Sequence, residues 1–280
     1  MSQADNPLPA FVPDPAATSG SESSPTDSGL PPAETAASRP SSRTWMMVLT
    51  GGLLAGLAGF GFGEYALQLF APSLVLPPEI RGDQTRAPLE HARRVRESQD
   101  RAATLSYGVL GALLGLALGA AGGMARRSPR AAITAALIGL VLGAAAGAGT
   151  TFLLLPWYHA FYAIPSPETA TQELCLALAT HGGIWVAVGT AAGLALGLSL
   201  GGGRVARAII GGILGAALAT AIYEFGGAVI FPLDRTLQPM AMASGPRLLA
   251  HLAVALCVSA GTLWAADHLS LRRESVRAHT

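Results

Sequence analysis

The stretches GALLGLALGAAGG (residues 111–123) and GTAAGLALGLSLG (residues 189–201) place a glycine at every fourth position of two uncharged segments. Residues four apart lie along one side of an α-helix, and a side without bulky side chains lets a second helix approach closely. Such rows are typical of helices that pack together in lipid. We therefore predict two glycine-packed membrane helices. Their packing residues are Gly111, Gly115, Gly119, Gly123, Gly189, Gly193, Gly197 and Gly201.

The rest of the chain extends this prediction to six helices. Only 12% of the 280 residues are charged and the mean hydropathy is +0.44, whereas soluble domains carry about 25% charged residues. Six apolar stretches each reach the ~20 residues that a helix needs to cross ~30 Å of hydrocarbon, and they are continuous rather than alternating. The predicted fold is all-α, a polytopic transmembrane helical bundle. Its spans are 45–71, 102–124, 131–155, 174–200, 208–231 and 247–268.

Composition divides the chain into three regions. Residues 1–43 are rich in Pro and Ser and poor in large apolar side chains, which predicts a disordered tail. Residues 44–270 hold the six-helix transmembrane domain, and residues 271–280 form a short basic C-terminal tail. From Pro88 onward, opposite charges recur four residues apart, as in Glu90/Arg94. This spacing predicts a charged helix that runs into the second span.

The spans also resemble one another. The pentapeptide GLALG recurs at 115–119 and 193–197, an offset of 78 residues, while GGLL at 51–54 matches GGIL at 211–214 at an offset of 160. We interpret the domain as three tandem two-helix hairpin repeats, related by an axis along the membrane normal. In this interpretation each odd-numbered span ends near a proline. The three prolines are Pro72, Pro156 and Pro232.

The distribution of arginine predicts the orientation in the membrane. The short connections after the second and fourth spans are rich in arginine, whereas residues 156–173 contain neither Arg nor Lys. Because basic loops stay on the cytoplasmic side, we place both termini in the cytoplasm and the protein in the inner (plasma) membrane of a bacterium. The six arginines between the first two spans run against this rule. The outer interface would then carry an aromatic belt of Trp157, Tyr158, Phe161 and Tyr162.

Four ionisable residues lie inside the apolar spans, where a charge is costly and marks a functional candidate: Glu64, His181, Glu224 and His251. The two glutamates are 160 residues apart, and each stands eight residues before a proline. In the predicted orientation all four lie in the outer half of the bilayer, where a Glu/His cluster could relay protons or bind a divalent cation. The alternative is structural, because hydrogen bonds between helices or access to water near the headgroups would also satisfy these side chains.

The sequence indicates a protein without enzymatic activity. It contains no lysine, which excludes a Walker-type phosphate loop and a Schiff base, and it has no HExxH or GxSxG motif. The two cysteines, Cys175 and Cys257, stand alone in different spans, so neither a zinc site nor a disulfide framework is indicated. We therefore expect no cofactor and no metal.

The expected partners follow from the same composition. A net charge of +1 argues against nucleic acid, and the apolar spans predict contact with the lipid bilayer. A second copy of the chain or another membrane protein is a further candidate partner. The leading functional hypothesis is a structural or assembly role. The alternative is a small-solute or ion transporter, proton-coupled in one form, that uses Glu64 and Glu224.

Overall fold

A computed structural model describes residues 42–73, 75, 79, 82–162, 169–234 and 236–268, and every regular element in these ranges is helical. The fifth helix continues through one π-helical turn, Ile222–Gly226, to Ile230, and a 3₁₀ turn at Gly202–Arg204 precedes it. The six helices are α1 (Ser42–Leu69), α2 (Arg86–Ala125), α3 (Pro129–Tyr162), α4 (Thr169–Leu200), α5 (Val205–Ala221) and α6 (Ser244–His268).

All six helices are long and apolar enough to cross a membrane, which confirms the predicted fold class. Several helix ends differ from the predicted spans. Helix α1 begins at Ser42, inside the range assigned to the tail, while residues 1–41 of that tail and residues 271–280 lie outside the described part of the chain.

The third span does not end at its proline. Helix α3 continues through Pro156 to Tyr162, so the four predicted belt aromatics form its last two turns instead of a loop. A proline inside a helix removes one backbone hydrogen bond, but neighbouring helices can hold such a turn in place. Here the side chains on either side of Pro156, those of Leu155 and Tyr158, are buried and supply that packing.

The helices form a ring in chain order, closed by contact between α1 and α6. Helix α4 also contacts α2 and α6, which places the even-numbered helices toward the inside. Burial agrees with this arrangement: 56%, 61% and 56% of the apolar windows of α2, α4 and α6 are buried, against 33%, 28% and 39% for α1, α3 and α5. Three copies of a hairpin around a central axis would produce this alternation.

The glycine rows lie where helix backbones touch. A Cβ atom added to Gly115 would overlap the backbone of Gly139 in α3, and one added to Gly193 would overlap the backbone of Ala208 in α5. The same holds for Gly111, Gly119, Gly123, Gly189 and Gly197. The rows of α2 and α4 therefore join each even helix to the next odd one.

Gly201 lies differently from the other members of its row. It follows the end of α4 with a φ of 69°, a conformation that residues with a side chain rarely adopt, and it lies against the guanidinium of Arg126. Gly201 therefore ends the helix instead of packing one helix on another.

The charged segment before the second span is helical, as predicted, and is continuous with it in α2. Its ion pairs join Arg93 to Glu90 and Glu97, each at 2.8 Å, and Arg94 to Glu90, also at 2.8 Å. Further along the helix, Asp100 contacts His159 of α3 at 2.9 Å. Helix α2 is thus tied to α3 before the apolar part begins.

The contact at Gly115 makes a prediction about stability. Gly115→Leu places a side chain where the backbone of α3 lies, and overpacking of this kind costs about 1–3 kcal/mol or more. We expect a lower midpoint of thermal unfolding in detergent, followed by tryptophan fluorescence. Gly149→Leu is the matched control, since a Cβ on Gly149 has no atom within 4 Å. Equal midpoints for the two variants would contradict backbone contact between α2 and α3.

Candidate functional site

The connection between α5 and α6, residues 236–242, lies at the centre of the candidate site. Its residues Thr236, Met240 and Ala241 are buried, whereas Met242 is 67% exposed. Backbone carbonyl groups shielded from water need hydrogen-bond donors. Side chains of α2, α4, α6 and the continuation of α5 supply them, and in the last case the hydroxyl of Tyr223 donates to the carbonyl oxygen of Thr236 at 3.2 Å.

The two carbonyls at the end of this connection are bound by Arg247 of α6. Its Nη1 donates to the oxygens of Ala241 and Met242 at 2.8 and 2.5 Å. Its Nε and Nη2 donate to the two carboxylate oxygens of Glu64 in α1 at 2.7 and 2.8 Å. One guanidinium therefore fixes the connection to α1, in the two-pronged geometry in which Arg–carboxylate pairs are strongest.

His251 lies one turn after Arg247 and is buried. Its Nδ1 is 2.8 Å from the carbonyl oxygen of Arg247, which only accepts, so Nδ1 carries the hydrogen of the neutral ring. The other nitrogen, Nε2, is 3.1 Å from the hydroxyl of Ser106 in α2 and accepts from it. Tyr107 stacks on the ring with centroids 6.2 Å apart. His251 thus joins α6 to α2 with both nitrogens occupied.

The second acid–histidine group joins α4 to α5. His181 Nδ1 is 2.5 Å from Glu224 Oε1, and both side chains are almost fully buried. His181 Nε2 is 3.3 Å from the carbonyl oxygen of Pro239, which also accepts from the hydroxyl of Tyr107 at 3.0 Å. Because that carbonyl has no hydrogen to give, Nε2 carries one.

One of the two carboxyl oxygens of Glu224 accepts no hydrogen bond from the described residues. Its Oε2 is buried and has no hydrogen-bond partner, although the residue is only 1% exposed. A buried carboxylate oxygen without a donor is costly and calls for an explanation. Glu224 lines a cavity of about 590 Å³ between α3, α4 and α5, which also includes Tyr158 and Glu173.

The structure therefore divides the four predicted residues into two groups. His181 and Glu224 contact each other, as do Glu64 and Arg247, but no hydrogen bond joins Glu64 directly to Glu224 among the described residues. Among the described residues, the hydrogen bonds that link the two groups run through Tyr107 and the connection at 236–242. Nor do three or more His, Cys, Asp or Glu side chains of the described residues come together as metal ligands, so the divalent-cation hypothesis gains no support.

Arg247, Ser106 and Tyr107 were missed by the sequence reasoning. Arg247 stands at the first position of the predicted sixth span, where an arginine is usually an interfacial residue that reaches water. Ser106 and Tyr107 are uncharged, and nothing in their spacing marks them. A charge at the start of an apolar span, opposite a glutamate near the end of another, is the one signal that could have indicated the pair.

Comparison with known proteins supplies no relative. No protein-family model, no curated protein and no solved structure matches this chain. The functional argument therefore rests on the geometry of the chain alone.

The two-pronged ion pair between Glu64 and Arg247 leads to a prediction about thermal stability. Arg247→Gln leaves the Glu64 carboxylate and the carbonyls of Ala241 and Met242 without their donor. Arg247 is buried but the Glu64 side chain is 31% exposed, so the cost should lie below the value of about 3–5 kcal/mol for a fully buried pair. We expect a clear loss of thermal stability in detergent. Arg93→Gln, which removes an exposed ion-pair residue from the same protein, should leave the unfolding temperature close to that of the wild type. If both variants unfolded at the same temperature, Arg247 would not hold the connection.

Proposed function

We propose that this chain is a multi-pass membrane protein without enzymatic activity, whose role is structural or in assembly. The observation that supports this most is the closed interior of the bundle. Along α2 and α4 the glycine rows bring backbones into contact, and such contacts leave no room for a solute between the helices involved. Three of the intramembrane ionisable residues use their polar atoms in hydrogen bonds that hold neighbouring elements in place. They are Glu64, His181 and His251.

The repeat fits the same proposal. Three hairpin copies account for the offsets of 78 and 160 residues and for the alternation of inner and outer helices. Close backbone contacts join α2 to α3, α4 to α5 and α5 to α6, and contacts of this kind favour a rigid ring. The outer helices α1, α3 and α5 then offer their apolar faces to lipid or to another membrane protein.

A transporter is the second candidate, and one observation favours it. Glu224 lines an open cavity, has a buried carboxyl oxygen without a hydrogen-bond partner among the described residues, and is hydrogen-bonded to His181. Ionisable groups of this kind are used in proton relays. The two glutamates do not face one cavity, however, since Glu64 is engaged by Arg247.

Proton flux distinguishes the two functions. We expect proteoliposomes that contain the protein, an internal pH dye and an imposed membrane potential to acidify no faster than protein-free liposomes, because the helix backbones close the interior. An ionophore added at the end serves as the positive control. A proton flux above the protein-free rate would contradict the structural role. If Glu224→Gln abolished that flux and Glu64→Gln did not, the transporter would be the correct function.

The orientation is part of the proposal. We place the connections between α2 and α3 and between α4 and α5 in the cytoplasm, since both are rich in arginine, and the connection between α5 and α6 at the outer face. This puts both termini inside, in the inner membrane of a bacterial cell.

Cysteine labelling tests this orientation. In a background with Cys175 and Cys257 replaced by Ser, Thr171→Cys lies at the proposed outer end of α4 and Gly203→Cys lies in the proposed cytoplasmic turn, where no atom would obstruct the new side chain. A membrane-impermeant maleimide should label the first variant in intact cells and both variants after lysis. Labelling of Gly203→Cys alone in intact cells would invert the topology.

A further inference from the structure

The cavity beside Glu224 is lined by side chains suited to binding a ligand. The structural role proposed above does not require such a cavity. Besides Glu224, its described lining includes the carboxyl groups of Glu173 and Asp234, while no described lining residue is Lys or Arg. Glu173 is half-buried and Asp234 is exposed at the rim, so the cavity opens to the surface. All charged lining residues that the structure describes are therefore acidic, which favours a positively charged ligand.

The carboxyl oxygen of Glu224 that has no partner, Oε2, indicates where a cation would bind. Glu224 is one of the residues that line the cavity, and its buried Oε2 accepts no hydrogen bond from any residue that the structure describes. His181 already holds the other oxygen, Oε1, so the carboxyl group is fixed in place rather than free to turn toward another partner. Three buried side-chain polar atoms of the described residues lack a hydrogen-bond partner: Trp185 Nε1, Glu224 Oε2 and Ser259 Oγ. Of these residues only Glu224 belongs to the described lining of this cavity, and a ligand with an N–H donor would satisfy its oxygen.

The remaining walls indicate an organic cation rather than a metal ion. Tyr158 and Tyr162 stack with ring centroids 5.7 Å apart and line the cavity, as do Phe225 and Phe231. Aromatic faces attract organic ammonium groups. A metal ion would need oxygen ligands within about 2.6 Å of one point, and the described acidic side chains do not come together in that way. The cavity volume of about 590 Å³ lies in the usual range for small-molecule sites.

We propose that this cavity binds a small organic cation through a primary ammonium group, which donates a hydrogen bond to Glu224 Oε2 while its carbon chain lies against the tyrosines. Glu173 and Asp234 raise the local concentration of cations at the entrance. Two sources carry this chemistry at a membrane surface: a soluble amine, and the ethanolamine headgroup of a phospholipid. The inference does not depend on the structural role, because a bundle that conducts nothing can still bind a ligand at one end.

Calorimetric titration of the full-length protein in detergent tests the site. The probes are n-butylammonium, butane-1,4-diammonium and tetramethylammonium. We expect the two primary ammonium ions to bind and tetramethylammonium, which has no N–H donor, to bind at least about tenfold more weakly. Absence of heat and of any thermal stabilisation with all three ions, up to 100-fold excess over protein, would overturn the proposal.

Two matched glutamate variants locate the site. Glu224→Gln removes the charge at the orphaned oxygen and should weaken n-butylammonium binding at least about tenfold, whereas Glu64→Gln, whose oxygens are both held by Arg247, should leave it within about twofold. If Glu224→Gln does not fold, the affinity of Glu173→Gln for n-butylammonium is measured instead. This variant should weaken binding by a smaller factor. Equal affinity in the wild type and both cavity variants would place the ligand elsewhere and reject the site.

The two sources are separated in nanodiscs. If the headgroup is the ligand, discs that contain phosphatidylethanolamine should raise the unfolding temperature of the wild type relative to phosphatidylglycerol discs, and Glu224→Gln should lose that difference. If a soluble amine is the ligand, both lipids give the same temperature and added n-butylammonium raises it in both. Proton flux without ammonium binding would reject this inference alone, and binding without flux would leave the structural role in place.

Discussion

Close approach of helix backbones is the interaction on which the rest of this structure depends. In lipid no hydrophobic force drives helices together, so packing must come from short-range contact, and glycine allows the shortest. The contacts of Gly115 with α3 and of Gly193 with α5 bring the even helices inside the ring. Between the even helices the interior is filled by buried side chains such as Leu114, Val188 and Val254. The four ionisable side chains of the apolar spans lie near one end of the bundle, beside residues 236–242.

The end of the bundle is governed by a second constraint, the need of buried carbonyl groups for donors. Arg247 satisfies two of them and anchors the connection to Glu64, while Tyr107 and His181 share the carbonyl of Pro239. These contacts turn costly intramembrane charges into a fixed scaffold. Glu224 is the exception, since one of its oxygens is left over at a cavity wall. Structure and binding thus use different atoms of the same carboxyl group.

The sequence predicted part of the candidate site and missed the rest for identifiable reasons. Intramembrane charge alone was enough to single out Glu64 and Glu224, because a charge in an apolar span always needs a partner. Their equivalent positions in the repeat suggested equivalent roles, yet one binds an arginine and the other a histidine. Partners come from helices distant in the chain, and no spacing rule connects position 64 with position 247.

Length and hydropathy by themselves determined six helices, their approximate ends and the glycine rows, because the bilayer demands about 20 apolar residues per span and internally bonded backbone. The same information did not determine that α3 would continue through Pro156, or that Thr236, Met240 and Ala241 would be buried. Those outcomes depend on contacts between segments far apart in sequence. Such contacts follow from how the six helices pack in three dimensions, which only the tertiary structure decides.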